Sequence, residues 1–234
     1  MNFARLEWLV AIRRRRAFVL NIIVPFALVA ALAAGNAPTV HTAVVCAVLF
    51  AFFGTFGSAI PLVRDAETGR LTALLQAGAN PSSLLVQRVL VGAGIDVLHL
   101  LPAVAILAFA YRGTAAPLLI CLPAALIAAN TLGTWVAAIT RSIGESALVS
   151  SVAALTLLHV GGVFRTPVPN TWSAAIEPFS PFKYLHESLV TAVGSSATAT
   201  ATATATGVFV ALASVGTVAI GAPRIARSLR VGRR

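Results

Sequence analysis

Asp96 and His99 are the residues whose types and spacing point most directly to chemistry. They stand three apart inside the apolar run 84–111, and that spacing on a helix sets both on one face. Ionisable groups at bilayer depth are costly. They mark a proton or substrate path, or they hold a bundle together by bonding to each other or to a neighbouring helix. As a proton site, the pair would serve a proton-coupled secondary transporter. Asn130, Trp135 and His159 in later apolar runs pose the same choice with less support. The chain has seven acidic residues, of which only Asp65 and Glu67 lie close together. They sit beside Arg64 and Arg70, which favours ion pairing over general acid–base work. No GxxxxGK[ST], G-x-S-x-G or HExxH pattern occurs. The chain therefore has no P-loop of its own for ATP hydrolysis, no nucleophile elbow and no zincin helix. Cys46 and Cys121 both lie in apolar runs without zinc-type spacing, as buried thiols do.

The elements that must position these groups follow from composition. The 234 residues are 58% hydrophobic and 10% charged, with a mean hydropathy of +0.91. A soluble domain carries about 25% charged residues, so the chain reads as an all-α polytopic membrane protein. A spanning helix needs roughly 20 apolar residues. Six stretches qualify: 17–35, 40–63, 84–111, 115–139, 147–164 and one within 202–222. The first is too long for a signal core, and no small-residue cleavage site follows it, so no cleavable signal is expected. Gly54, Gly57 and Ser58 in the second span, with Ala51 and Ala59, predict close approach of another helix. Gly92, Gly94, Gly133, Gly161 and Gly162 extend that expectation to other spans. Pro25 is tolerated as a kink. Glu145 suits the positive N-terminus of the fifth helix.

The net charge of +10 is explained by topology and not by nucleic acid. With six spans, one side receives Arg5, Arg13 to Arg16, Arg64, Arg70, Arg88, Arg141 and the C-terminal arginines 224, 227, 230, 233 and 234. The other side receives Arg112, Arg165 and Lys183. The positive-inside rule then places both termini in the cytoplasm, the basic residues serving as topology determinants and lipid contacts. Residues 1–16 set Phe3, Leu6, Trp8, Leu9 and Ile12 against Arg5, Glu7 and four arginines, the pattern of an interfacial amphipathic helix.

Two segments stand outside the spans. Residues 64–83 begin with charges, turn at Gly69 and run through Leu71, Leu74 and Leu75 at helical spacing. They break at Gly78-Ala79-Asn80-Pro81. This predicts a short amphipathic helix between spans 2 and 3, followed by a turn. Residues 165–196 carry Trp172, Ile176, Phe179, Phe182, Tyr184, Leu185 and Leu189. The segment is too apolar for a free loop and too broken by proline to span. Short outer-leaflet helices capped by Pro178 and Pro181 are expected between spans 5 and 6. The Ala–Thr alternation of 197–206 reads as a lead-in to the sixth helix, its threonines bonding back to helix carbonyls, because a lone strand beside lipid would leave its backbone unpaired.

At 64–83 the chain resembles the membrane subunit of an ATP-binding-cassette exporter of the type-2 permease class. Members carry, after the second span, roughly acid-Arg-Glu-x-Gly-Thr-Leu-Glu, then leucines and a proline-containing turn. Asp65, Glu67, Gly69, Leu71, Leu74, Leu75 and Pro81 match this pattern. Pro181-Phe182-Lys183-Tyr184-Leu185 resembles the aromatic-rich segment before the last span, and the N-terminal amphipathic helix is a third likeness. Ala66, Arg70 and Thr72 replace the family's arginine, threonine and second glutamate, and Arg88 stands near where a lysine often enters the third span.

The resemblance implies a single permease domain over 1–234 that forms the substrate path for efflux. Asp65, Glu67, Gly69, Arg70, Leu71 and Leu74 would belong to an ATPase-coupling segment. Pro181, Tyr184 and Glu187 would belong to an outer re-entrant segment. The implied partners are an ABC-type ATPase subunit and a second permease, either a copy or a paralogue. ATP and magnesium would sit on the ATPase, with no cofactor on this chain. The implied location is a prokaryotic plasma membrane. An intramembrane enzyme would need more than Asp96 and one histidine, and an assembly subunit without a path is a further alternative.

Overall fold

The computed structural model describes residues 3–110, 115–165, 168–190 and 197–231. Tyr111, Arg112, Arg233, Arg234 and two pieces of the outer segment (166–167 and 191–196) lie outside the described residues. In order, the helices are α1 (Phe3–Arg13), α2 (Arg15–Ala34), α3 (Thr39–Glu67), α4 (Arg70–Gln76), α5 (Pro81–Ala110), α6 (Ala115–Ile139), α7 (Ile143–Val160), α8 (Trp172–Ile176), α9 (Pro181–Val190) and α10 (Ala197–Val231). A 3₁₀ turn, Glu177–Phe179, joins α8 to α9. No strand occurs among the described residues. Six helices, α2, α3, α5, α6, α7 and α10, are long and apolar enough to cross a membrane. The all-α, six-span expectation therefore holds.

Span boundaries shift where local chemistry overrides hydropathy. The second spanning helix does not stop at residue 63 but continues through Glu67, because Asp65 finds cationic partners that let the charged last turn stay helical. The fifth runs Ile143–Val160 instead of 147–164. Its start is set by Ser142, whose side chain accepts a hydrogen bond from the Glu145 N–H. The Glu145 carboxylate in turn accepts from the Arg141 N–H at 2.7 Å. This reciprocal cap satisfies two otherwise orphaned donors, and Glu145 opens the helix as expected. The alternating Ala–Thr stretch is helical from Ala197.

The core has two ends. At one, buried residues of α3, α5, α6 and α7 such as Phe50, Leu100, Leu126 and Leu158 pack with Phe182 and Leu185 of α9. At the other, Leu62, Leu71, Leu85, Val89 and Ile225 join α3, α4, α5 and α10. Helix α6 packs against α3, α10, α5, α7 and α9 and is the hub of the bundle. The closest seam is α3 on α6. A Cβ added to Gly54 would lie 2.5 Å from the Ala129 Cβ, and one on Gly133 would run into the Thr55 carbonyl oxygen. Small residues thus permit backbone approach where lipid supplies no hydrophobic drive between helices. Gly94 faces open space and has no part in this.

Candidate functional site

The short helix α4 is bounded by two residues in the left-handed region, Gly69 at φ 71° and Gly78 at φ 88°. Glycine adopts that conformation without a Cβ penalty, so these two positions end α3 and α4 within a few residues of each other. Asp65 and Glu67 lie on the last turn of α3, whereas Arg70, Leu71 and Leu74 lie on α4. Leu71 is buried, and Leu75 joins it in the core. Glu67, Thr68, Gly69, Ala73, Gln76 and Ala77 are exposed. Leu71 therefore anchors α4 to the bundle, and the outward face is made by the Glu67–Gly69 turn with Ala73, Gln76 and Ala77.

Four charges fasten this knob to the rest of the chain. Arg88 of α5 pairs with Asp65 at 2.6 Å and with Glu7 of α1 at 3.8 Å. Arg70 pairs with Asp65 at 3.4 Å and with Glu7 at 3.3 Å. The two acids and two bases cancel, which a site with a 6%-exposed Arg88 side chain requires. The network ties α1, α3, α4 and α5 together at one end of the bundle. Local sequence sets Asp65 beside Arg64 and Arg70, but it does not reveal Arg88 as its buried partner or Glu7 as the second acid on the same two arginines. The available signal was that Glu7 is the sole acid in an arginine-rich N-terminal segment.

Asp96 and His99 share a buried face of α5, as their spacing predicted. They do not bond each other. The Asn130 amide of α6 donates to the Asp96 carboxylate at 2.9 Å and to the Leu126 carbonyl at 2.9 Å. The Ser58 hydroxyl of α3 donates to the Asn130 carbonyl oxygen at 2.5 Å. This polar chain crosses three helices, as the bundle-holding reading requires. His99 is different: neither ring nitrogen has a hydrogen-bond partner, and the ring meets Phe18 of α2 edge-on at 4.7 Å. Trp135 packs over Gly221 of α10 and His159 is exposed, so neither joins this cluster.

At the opposite end, α9 is held by specific contacts. The Tyr184 hydroxyl donates to the Pro178 carbonyl at 2.8 Å. Lys183 pairs with Glu177 at 3.3 Å and with Glu187 at 3.8 Å. Partial burial raises the Glu187 carboxyl above its ordinary range. Lys183 opposes that rise and Glu177 adds to it. Burial lowers the neighbouring His186. Phe182 and Leu185 point into the core, while Trp172, Ile176 and Phe179 stay exposed. Only the second set is therefore free to meet lipid.

A family model, ABC-2 type transporter, matches residues 3–193. No curated protein and no solved structure matches the chain. The match takes in α1, the first five spanning helices, α4, α8 and α9. Six apolar helices and a short glycine-bounded helix after the second span are thus accompanied by a family assignment over most of the chain: it belongs to the ABC-2 type transporter family and is a multi-pass membrane permease of an ABC transporter.

Proposed function

We propose that this permease exports its substrate, powered by a separate ABC-type ATPase that seats on the exposed face of α4 and the Glu67–Gly69 turn. The observation that carries the reading is the construction of that face. Its residues are exposed, yet it is tied through Asp65, Arg70 and Arg88 to three other helices. A displacement at α4 therefore has a stiff route into α1, α3 and α5. ATP binding by the partner favours one helix arrangement over another, which is a population shift and needs no ATP site on this chain. A second permease, identical or related, completes the membrane part. The arginine-rich end, with both termini, faces the cytoplasm of a prokaryotic cell, as the charge asymmetry supports. Magnesium and ATP reside on the ATPase.

Purification of the tagged chain in gentle detergent, with mass spectrometry of its companions, tests the partner directly. A stoichiometric soluble ABC ATPase is the expected result. Its absence, under conditions that keep a control transporter whole, would remove the proposed ATPase seating on α4. The contact face has its own test. Gly69→Pro forces φ to about −65° where the turn holds 71°, and Glu67→Ala removes an exposed carboxylate. Both are expected to lower transport and substrate-stimulated ATP hydrolysis while leaving membrane insertion intact. Wild-type transport by both variants would eliminate the coupling role.

A further inference from the structure

From the cavity between α1, α2, α3 and α5 we infer a binding site for a lipophilic monocation, a protonated amine or a phosphonium carrying an aromatic or alkyl body, with Asp96 as its counter-ion. The cavity has a volume of about 550 Å³, within the range of sites that hold drug-sized molecules. Its described lining comes from this chain's own α1, α2, α3 and α5 and from Arg14 between α1 and α2, so the inference stands apart from the identity of the energy source.

Its walls are aromatic. Phe52, Phe53 and Phe56 of α3 and Phe18 of α2 line it, and the Phe52 and Phe56 rings lie 5.4 Å apart at 49°. Ring faces attract cations, most strongly where water is excluded. Asp96 lines the same cavity and is 5% exposed. Asn130 donates one hydrogen bond to it, but among the described residues no Arg or Lys forms an ion pair with it. A carboxylate at this depth gains most from a partner of opposite charge. Gly57 keeps room beside the carboxylate, since a Cβ there would sit 2.8 Å from its oxygen. His99, 4% exposed and without a hydrogen-bond partner on either nitrogen, also lines the cavity and offers a polar contact to the ligand.

The basic lining residues do not reverse this preference. Arg88 is engaged by Asp65 and Glu7, and it lies eight residues before Asp96, about 12 Å along α5 at the helical rise. Arg14 is exposed. The cavity thus has a neutralised ion network at one end and a carboxylate among phenyl rings at the other.

Tetraphenylphosphonium and tetraphenylborate share one shape and carry opposite charge, and they form the probe pair. Equilibrium dialysis with the purified full-length chain in detergent, each probe in its own cells because the two ions precipitate together, should show saturable phosphonium binding and at least tenfold weaker borate binding. Asp96→Asn, which keeps an acceptor for Asn130, should weaken phosphonium binding more than tenfold. Val91→Trp, which fills the cavity from α5, should do the same. Absence of saturable phosphonium binding to the wild type overturns the inference. So does equal or tighter site binding of the borate, or phosphonium binding indifferent to Asp96→Asn. If either variant misfolds, the wild-type cation-against-anion comparison decides alone.

Discussion

Replacing Arg88 with methionine is expected to destabilise the folded chain by about 3–5 kcal/mol, the cost of stranding a buried charge. The Arg88 side chain is 6% exposed and lies 2.6 Å from an Asp65 carboxylate that is itself 11% exposed. Without it, Asp65 and Glu7 share only Arg70, which is 30% exposed and partly screened by solvent. The double variant Asp65→Asn with Arg88→Met is expected to recover most of the loss, because removing both partners of a buried pair is often close to neutral. Denaturation in mixed micelles measures both. A double variant as unstable as the single would assign the cost to lost packing of the arginine stem. The same single variant should also uncouple α4 from α5, so transport is expected to fall further than stability alone would dictate.

The second large effect is at the α3–α6 seam. Gly133→Ala would place a methyl group against the Thr55 backbone carbonyl. Backbone cannot swing aside as a long side chain can, so the two helices must part. Overpacking of this kind costs about 1–3 kcal/mol and occasionally more, and parting the hub helix from α3 puts this site at the upper end. Gly94→Ala is the matched control. No atom would lie within 4 Å of its added Cβ, and exchanging glycine for alanine inside a helix is worth up to about 1 kcal/mol of stabilisation. Opposite signs for the two substitutions in a thermal melt in detergent are the expected outcome. Equal destabilisation would mean that helix flexibility, and not the seam, sets the cost at Gly133.

Much of the site's location was readable from order along the chain. Gly69 and Gly78 bracket α4 because a left-handed turn demands a residue without a Cβ, and that demand is local. Which way α4 faces was not readable. Leu71 and Leu75 point inward only because α3, α5 and α10 supply a core for them, so the outward face falls to Glu67, Thr68, Ala73, Gln76 and Ala77. The partner of Asp96 was equally hidden. His99 is its nearest polar neighbour in sequence, yet the hydrogen bond comes from Asn130 on another helix.

By itself the sequence determined the class of the protein, its six spanning helices, the uneven placement of its arginines and the short helix after the second span. Each depends on a property of about 20 consecutive residues or fewer: hydropathy long enough to cross hydrocarbon, or a glycine where φ is positive. The tertiary structure alone decided that Glu7, Asp65, Arg70 and Arg88 form one network, that Phe182 and Leu185 enter the core, and that Asp96 faces a phenyl-lined cavity. In a bilayer every spanning helix is apolar on all sides, so hydropathy does not distinguish the face turned to lipid from the face turned to a neighbour. That choice is made by which small residues let backbones meet and which buried charges find partners, and both conditions exist only once distant segments are packed together.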